Sequence, residues 1–302
     1  MTTKKILILG GSSYVGKHLF STLKPENSIA TYCRTPIANG IHFDSLSMKL
    51  SDILKSPETI SHAVILLGDT NPETCAENPD KSNTLNVESI KSIIKELIHL
   101  NIKPVFASSE FVFDGTKGNY IETDTPNPIL LYGRQKLEIE NYLKEHCDNY
   151  LITRFAKIFG SDPGDKTLFT NWLESISQNQ TIKCANDQIF SPIHIKDIVE
   201  SIIKLIENDC NGIYHISSSN PYSRLDLLNM LLEEIKKSHQ TNVNIIPCSI
   251  HDFNLKEKRP LNVSMNPDKL IKAIGIPLHN ITGICENIAK SYNNKSYEVQ
   301  AQ

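Results

Sequence analysis

The sequence has no hydrophobic run long enough to span a bilayer, which excludes an integral membrane protein built from helices. Its 302 residues are 39% hydrophobic and 22% charged, as in an ordinary globular protein. The residues MTTKK lead directly into a short aliphatic run, so no targeting segment is indicated. The expected location is cytoplasmic, with no membrane as a partner.

The sequence also has little excess charge and no paired cysteines. A formal net charge of −3 gives no electrostatic reason to expect nucleic acid as a partner. The seven cysteines are scattered and never form a C-x-x-C pair, which argues against a disulfide framework and against a structural zinc site. The histidines and acidic residues form no pattern typical of metal ligands, so no metal is expected.

What the sequence does have is a regular alternation of short aliphatic runs with segments of helical periodicity. The run AVILL (63–67) has the continuous apolar character of a strand buried on both faces. The predicted strands of this half are Ile6–Leu9, Ser28–Cys33, Ala63–Leu67, Pro104–Ala107 and Tyr150–Arg154. The predicted helices are Gly16–Leu23, Asn83–Leu100 and Tyr132–His146. This order predicts an α/β fold with a doubly wound parallel sheet of the Rossmann type.

After Gly160 the pattern loosens into the turn-rich stretch FGSDPGDK, followed by mixed elements. They are helices at Lys196–Glu207 and Arg224–Lys237, strands at Gly212–Ser217 and Val243–Pro247, and two C-terminal helices. We therefore predict a nucleotide-binding domain over 1–160, to which segments near 191–217 return. A smaller C-terminal α/β substrate lobe covers 161–190 and 218–293, and 294–302 form a tail. The cleft between the two units is the expected site.

The stretch ILGGSSYVGKHL (8–19) follows the first strand and opens the first helix, which is the context of a phosphate-binding glycine loop. Gly10 allows the tight turn and Gly16 lets the helix pack close to the sheet. Ser13 stands where another glycine is usual. We predict that Gly10, Ser13, Tyr14, Val15 and Gly16 bind a dinucleotide. A capped turn with no ligand is the alternative.

The end of the second predicted strand bears on the choice of cofactor. Enzymes that use NAD tend to have an acidic residue here, whereas arginine accommodates the 2′-phosphate of NADP. Arg34 and Thr35 therefore favour NADPH, with NAD still possible; the alternative is a solvated surface arginine. Asp44 is a further candidate on the adenine side, or else an aspartate that caps a strand end or helix.

Two later segments carry candidate catalytic groups. FASSEFVFDG (106–115) places hydroxyls at the carboxyl end of a buried strand, where ligands of such sheets bind. LYGRQK (131–136) places Tyr132 and Lys136 on one face of a helix. We expect the Lys136 ammonium to lower the pKa of Tyr132, and the Ser109 hydroxyl to polarise a substrate carbonyl. These three groups suit hydride transfer to a ketone, and we expect Tyr132 and Lys136 to contact the cofactor as well.

At these residues the chain resembles the extended short-chain dehydrogenase/reductase superfamily, and within it the dTDP-4-dehydrorhamnose reductases and related nucleotide-sugar ketoreductases. SSEFVFDG is similar to the segment S-T-D-Y-V-F-D-G, and NPILLYGRQKLEIE to P-x-x-x-Y-G-x-x-K-x-x-x-E. The resemblance makes Ser109, Tyr132 and Lys136 catalytic. Glu110 and Arg259, the latter in KRPLNVSMNPDKL, then lie near the substrate, and Asn86 stands where an asparagine often supports proton relay.

The resemblance implies an NADPH-dependent reductase of a nucleotide-activated 4-keto-6-deoxy sugar. The segment LLGDT (66–70), which replaces the N-A-A-A of the family, leaves the wall of the nicotinamide site altered. An epimerase or dehydratase that retains NAD is an alternative, with Glu110 as an acid. A non-catalytic regulatory subunit, as in methionine adenosyltransferase assemblies, is another. The usual dimer face of the superfamily would place Asn83–Leu100 and Tyr132–His146 in a homodimer contact.

Overall fold

The computed structural model describes residues 4–162 and 165–300. In the first half, strands alternate with helices as the aliphatic runs predict. The strands are β1 (Lys5–Leu9), β2 (Ser28–Tyr32), β3 (Ile41–His42), β4 (Ile60–Ile65), β5 (Lys103–Ser109) and β6 (Leu151–Phe155). The helices are α1 (Tyr14–Thr22), α2 (Pro72–Glu77), α3 (Pro79–Asn83), α4 (Ser89–His99) and α5 (Leu131–His146).

The second half contains shorter strands between longer helices. Its strands are β7 (Ile158–Phe159), β8 (Ile182–Ala185), β9 (Ile189–Phe190), β10 (Ile193–His194), β11 (Gly212–Ile216), β12 (Tyr222–Ser223) and β13 (Ile245–Cys248). Its helices are α6 (Leu168–Ser177), α7 (Ile195–Glu207), α8 (Arg224–Lys236), α9 (Asp268–Ile274) and α10 (Ile281–Gln300).

Seven strands form one parallel sheet in the order β11-β6-β5-β4-β1-β2-β3. The chain moves outward from β1 through β2 and β3, then crosses back and continues in the other direction from β4. The strand order therefore reverses beside β1, and a crevice forms at such a point at the carboxyl ends of the strands. The predicted Rossmann-type doubly wound fold is confirmed.

Alternate residues of each strand supply two separate cores. On one face, Ile6 and Ile8 pack with Leu19 of α1 and Ile198 of α7. On the other face, Leu7 and Leu9 pack with residues of α4 and α5, among them Ile94, Ile139 and Leu143. Helices on both faces explain why these strands are apolar throughout rather than alternating.

A third core fills the smaller lobe. It lies between α6, α8 and α10, and Trp172, the single tryptophan, is buried in it beside Phe169 and Leu228. β8 and β13 pair as a small parallel sheet at its side. β11, by contrast, joins the large sheet next to β6 although it lies far along the chain.

Three features differ from the sequence-based expectations. The helix predicted over Asn83–Leu100 begins with a π-helical segment at Thr84–Glu88, and the buried side chain of Asn86 in this segment bonds outside the helix. β3 and α6 are not among the predicted elements: β3 has only two residues, and α6 lies in the stretch after Gly160 that the sequence analysis left unassigned. α10 continues to Gln300 across the predicted tail, since no proline or glycine follows Gly283 to end it. Residues 301–302 lie outside the described residues.

The outer faces of α4 and α5, where the resemblance places a homodimer contact, carry an exposed ion pair. Lys91 Nζ lies 2.6 Å from a carboxylate oxygen of Glu138. Both side chains remain partly open to water, so the pair contributes little to stability. A homodimer through these helices stays a prediction.

Candidate active site

The glycine loop between β1 and α1 has room for no additional atom at its two key positions. Gly10 has a φ of +93°, and its N–H donates to Thr31 Oγ1 over 3.1 Å. A Cβ atom at Gly16 would lie 2.2 Å from the carbonyl oxygen of Gly10. The turn is therefore closed as tightly as a phosphate-binding turn requires, and the loop fits a dinucleotide.

Ser13 acts as the N-cap of α1, because its hydroxyl accepts a hydrogen bond from Gly16 N–H over 3.1 Å. The first backbone N–H groups of a helix have no acceptor within the helix, so those of Tyr14 and Val15 are available to a phosphate. The Tyr14 hydroxyl donates to Asp165 over 2.9 Å and ties α1 to the stretch that follows β7.

The residues predicted to select the cofactor lie where β2 ends, and they are open to solvent. Arg34 and Thr35 are exposed. The Asp44 carboxylate accepts hydrogen bonds from Leu46 N–H and from the Ser47 hydroxyl, which is the turn-capping alternative of the sequence analysis. Its assignment to the adenine side stays a prediction.

A cavity of about 500 Å³ opens beside the glycine loop, between α1 and the residues that follow Arg34. Gly11, Lys17 and Ile37 line it. Sequence reasoning missed Lys17, because no motif marks it; its ammonium adds a second positive charge on the Arg34 side of the loop.

The predicted catalytic residues lie together at the carboxyl end of β5. Ser109 is the last residue of β5; its hydroxyl accepts a hydrogen bond from Phe111 N–H over 3.2 Å and lies near the hydroxyl of Tyr132, which is in the first turn of α5. Lys136 Nζ donates to the carbonyl oxygen of Ala107 over 2.8 Å and lies 5.7 Å from the centroid of the Tyr132 ring. All three side chains are buried.

Gly133 makes this approach possible, and sequence reasoning missed its role. A Cβ atom at Gly133 would lie 2.0 Å from the carbonyl oxygen of Phe111, in the segment that follows Ser109. The start of α5 therefore packs directly on that backbone. The glycine that directly follows the tyrosine in Y-G-x-x-K was the available signal.

The charge states correct one expectation. Burial raises the pKa of Tyr132 above its usual value, and the hydrogen bond to Ser109 lowers it only in part. Burial also lowers the pKa of Lys136 to about 8. The net direction is opposite to the expected lowering, because removal from water is the largest influence on the Tyr132 phenol. Tyr132 is thus protonated at neutral pH and suited to donate a proton.

Asn86 and Gln135 connect the catalytic helix to the altered segment after β4. Asn86 Nδ2 donates to the Asp69 carbonyl (2.9 Å) and to Gln135 Oε1 (2.8 Å), while Asn86 Oδ1 accepts from Asp69 N–H (2.7 Å). Gln135 Nε2 donates to the Ser82 hydroxyl over 2.8 Å. Asn86 thus fixes the position of the loop after β4 relative to α5.

A buried ion pair connects α5 to the strands on which it packs. Arg154 donates to both carboxylate oxygens of Glu140, over 2.9 and 2.6 Å, and the Ser108 hydroxyl donates to Glu140 Oε1 over 2.6 Å. Both charged side chains are fully buried. This pair anchors α5 to β5 and β6 one turn beyond Lys136.

The two predicted substrate residues have different surroundings. The buried Glu110 carboxylate accepts a hydrogen bond from Lys157 N–H over 3.2 Å, and burial raises its pKa to about 8. The Arg259 guanidinium forms a short ion pair with Glu73 and also donates to the Glu257 carbonyl. Lys157 and Arg224 lie within electrostatic reach of Glu110, and sequence reasoning missed both.

Among the residues that the structure describes, no group of three or more His, Cys, Asp or Glu side chains could hold a metal ion. Within the same residues, no helix is both long and apolar enough to cross a membrane.

A dinucleotide-type glycine loop after β1 and a Ser-Tyr-Lys cluster at the carboxyl end of β5 of the same sheet define an extended short-chain dehydrogenase/reductase. The chain belongs to the family described as the RmlD substrate binding domain, which matches residues 4–293. It is thus of the dTDP-4-dehydrorhamnose reductase-like type that the motifs indicate.

Its curated relatives include both enzymes and subunits. Methionine adenosyltransferase 2 subunit beta of Bos taurus is 23% identical over 288 residues, which is 90% of this chain and 83% of the relative. The dTDP-4-dehydrorhamnose reductase of Salmonella typhimurium is 25% identical over 285 residues, which is 87% of this chain and 90% of the relative.

Solved structures share the fold over nearly the whole chain. The dTDP-4-dehydrorhamnose reductase of Bacillus anthracis in complex with NADP has a TM-score of 0.77 at 20% identity and covers 96% of this chain and 99% of that one. MoeE5 in complex with UDP-glucuronic acid and NAD has a TM-score of 0.79 at 18% identity and covers 97% of this chain and 99% of that one.

Proposed function

We propose that this protein is an NADPH-dependent reductase of a nucleotide-activated 4-keto-6-deoxy sugar. The observation that carries the proposal is the joint placement of Ser109, Tyr132 and Lys136 in one buried cluster, at the same edge of the sheet as the glycine loop. A fold alone does not give an activity, whereas a proton donor, a hydroxyl and an ammonium at one point fit ketone reduction. The exposed Arg34 and the nearby Lys17 favour NADPH over NADH.

The bound nicotinamide would supply the hydride for the carbonyl carbon. Gly10, Gly16 and the first turn of α1 would hold the pyrophosphate. The Ser109 hydroxyl would donate a hydrogen bond to the substrate carbonyl oxygen, and Tyr132 would transfer its proton to that oxygen. Lys136 would stabilise the resulting phenolate by its positive charge, from the position fixed by its bond to the Ala107 carbonyl.

The test is NADPH and NADH oxidation against a panel of nucleotide-activated 4-keto-6-deoxy sugars. Tyr132→Phe should fold and bind cofactor but lose about 10²–10⁴-fold in turnover, because the proton donor is missing. Tyr142→Phe, the same change almost three turns further along α5, is the matched control and should keep full activity. Undiminished NADPH oxidation by Tyr132→Phe, or no turnover of any ketone by the unmodified protein, would refute the proposal.

A second candidate function is that of a regulatory subunit, and the similarity to methionine adenosyltransferase 2 subunit beta favours it. Co-purification with a partner enzyme whose activity changes on mixing, together with no ketone reduction across the panel, would select it. In that case Tyr132→Phe would leave the effect on the partner unchanged.

A further inference from the structure

Lys157 lies next to the candidate catalytic site although it is far from it in sequence. In the large sheet, Ser109 pairs with Phe155, so β5 and β6 end side by side. Glu110 follows Ser109 and Lys157 follows Phe155 by two residues. The bond from Lys157 N–H to Glu110 Oε2 joins these two strand ends. Since neighbouring strands are about 4.8 Å apart, the Lys157 side chain starts within reach of a substrate at Ser109.

Lys157 and Arg224 form a positive pair without carboxylate partners. Within the described part of the chain, no carboxylate oxygen lies within 4.0 Å of the charged nitrogens of Lys157 or Arg224, so neither side chain forms an ion pair. Arg224 Nε instead donates to the neutral Gln188 Oε1 over 2.6 Å. Arg259, the third nearby cation, already has Glu73 as its partner.

The surroundings of this pair favour an incoming anion. Lys157 is exposed to solvent and Arg224 is half-buried, so an incoming ligand can reach both side chains. Glu110 is the nearest acidic group, and because its pKa is raised to about 8 it is largely protonated at neutral pH. Two cations that repel each other in a cleft gain free energy when an oxyanion binds between them.

We propose that Lys157 and Arg224 form an oxyanion-binding site for the substrate, with Lys157 at the end nearest Ser109. The inference rests on the proposed function in that it takes the ligand to be a nucleotide sugar. Such a ligand offers two sources of the oxyanion: the diphosphate beside the sugar, or a carboxylate on the sugar ring. Lys157 then determines specificity, because a ligand without that charge leaves two cations unpaired.

The experiment is calorimetric titration of the full-length protein with UDP, dTDP, UDP-glucose and UDP-glucuronic acid. Lys157→Met keeps the length and the packing of the side chain but removes the charge. If the diphosphate is the oxyanion, this variant loses about tenfold or more in affinity for all of the ligands, because a charge-assisted contact is missing. If a sugar carboxylate is the oxyanion, the loss is confined to UDP-glucuronic acid. Lys157→Arg should restore most of the affinity in either case.

Lys55→Met, at an exposed lysine in the loop before β4, is the matched control and should bind like the unmodified protein. The salt dependence of binding should also be shallower in Lys157→Met than in the control, which a purely structural effect would not produce. Unchanged affinity of Lys157→Met for every ligand overturns the proposal, and so does a failure of the unmodified protein to bind any of them. The experiment measures binding and not turnover. If the protein binds these ligands but reduces no ketone, the proposed reductase activity is refuted while the proposed oxyanion site is not.

Discussion

Glu110 shows how one methylene changes the chemistry at a single position. The resembling segment has aspartate here, and the longer glutamate reaches Lys157 N–H from a fully buried position. A carboxyl group out of contact with water is disfavoured in its charged form. The charge of Glu110 therefore depends on its buried surroundings as well as on the pH of the solution.

This environment makes stability depend on pH at Glu110. Burial raises its pKa from the usual 4.5 to about 8 in the folded protein. Above pH 4.5 the unfolded chain releases this proton while the folded chain keeps it, so the contribution of Glu110 to stability falls as pH rises toward 8. Glu110→Gln, which cannot ionise, should gain stability relative to the unmodified protein over that window.

Urea unfolding at pH 5, 6, 7 and 8 measures the effect. The difference in free energy of unfolding between Glu110→Gln and the unmodified protein should grow with pH and level off above 8. Glu58→Gln, at an exposed glutamate, is the control and should show no such trend. A difference that is constant across the series would show that Glu110 is charged throughout.

The glycine loop illustrates what single residues reveal in the sequence. Gly10 and Gly16 could be predicted because each is required by the backbone itself, through a positive φ and through contact with a carbonyl oxygen. Ser13 could not be assigned from its type, since a hydroxyl serves equally as a cap or as a phosphate ligand. The bond from Gly16 N–H shows that it caps the helix.

At the scale of elements, the π-helical segment Thr84–Glu88 links binding and catalysis. Its Asn86 holds the loop after β4 on one side and Gln135 of α5 on the other. π-helical turns inside helices occur often at functional sites. The position of α5 relative to the loop after β4 therefore depends on a side-chain contact as well as on the backbone.

Replacing Gln135 should loosen this link. Gln135→Met keeps the volume but leaves Asn86 and Ser82 without their partner, at a cost of about 1–3 kcal/mol in the free energy of unfolding. We expect turnover to fall more than cofactor affinity, because Tyr132 and Lys136 lie on the same helix turn. Urea unfolding, NADPH titration and steady-state kinetics measure the three quantities.

The control is Gln178→Met, at an exposed position that ends α6, where stability should change by less than about 0.5 kcal/mol. If Gln135→Met had the same stability and turnover as this control, the contact between Asn86 and Gln135 would contribute to neither.

Sequence patterns predicted those elements whose signal is local. β4 and β5 are continuous apolar runs and α5 carries its own motif, so all three lie close to their predicted bounds. The bond between Glu110 and Lys157 depends on β6 lying beside β5, which no local pattern specifies. The same holds for Lys17, whose role depends on the path of the chain after Arg34. Contacts between distant segments are thus the part of the site that the sequence could not predict.

At the scale of the whole molecule, the two units share a stretch of chain. Val263 packs in the core of the smaller lobe, whereas Met265 packs against the large sheet. The Met265 carbonyl accepts hydrogen bonds from the hydroxyls of Ser191 and Ser217. A lobe that unfolded alone would break these contacts, so the two units should unfold together.

Trp172 allows a direct test, because it is the single tryptophan and lies in the core of the lobe. Its fluorescence reports the lobe, while far-ultraviolet circular dichroism is dominated by the helices and strands of the whole chain. We expect the two urea transitions to coincide. A fluorescence midpoint at clearly lower urea would show that the lobe unfolds independently.

The position of β11 at the edge of the sheet has a consequence for synthesis of the chain. β6 has no partner on its outer side until Ile216 has left the ribosome, and the roughly 60 residues in between take on the order of 3–12 s at 5–20 residues per second. During that interval the nascent sheet presents a free strand edge, and Arg154 cannot yet make its contact with His215. The nucleotide-binding unit is therefore completed only well after its own residues have been made, and chaperone contact is to be expected in that interval.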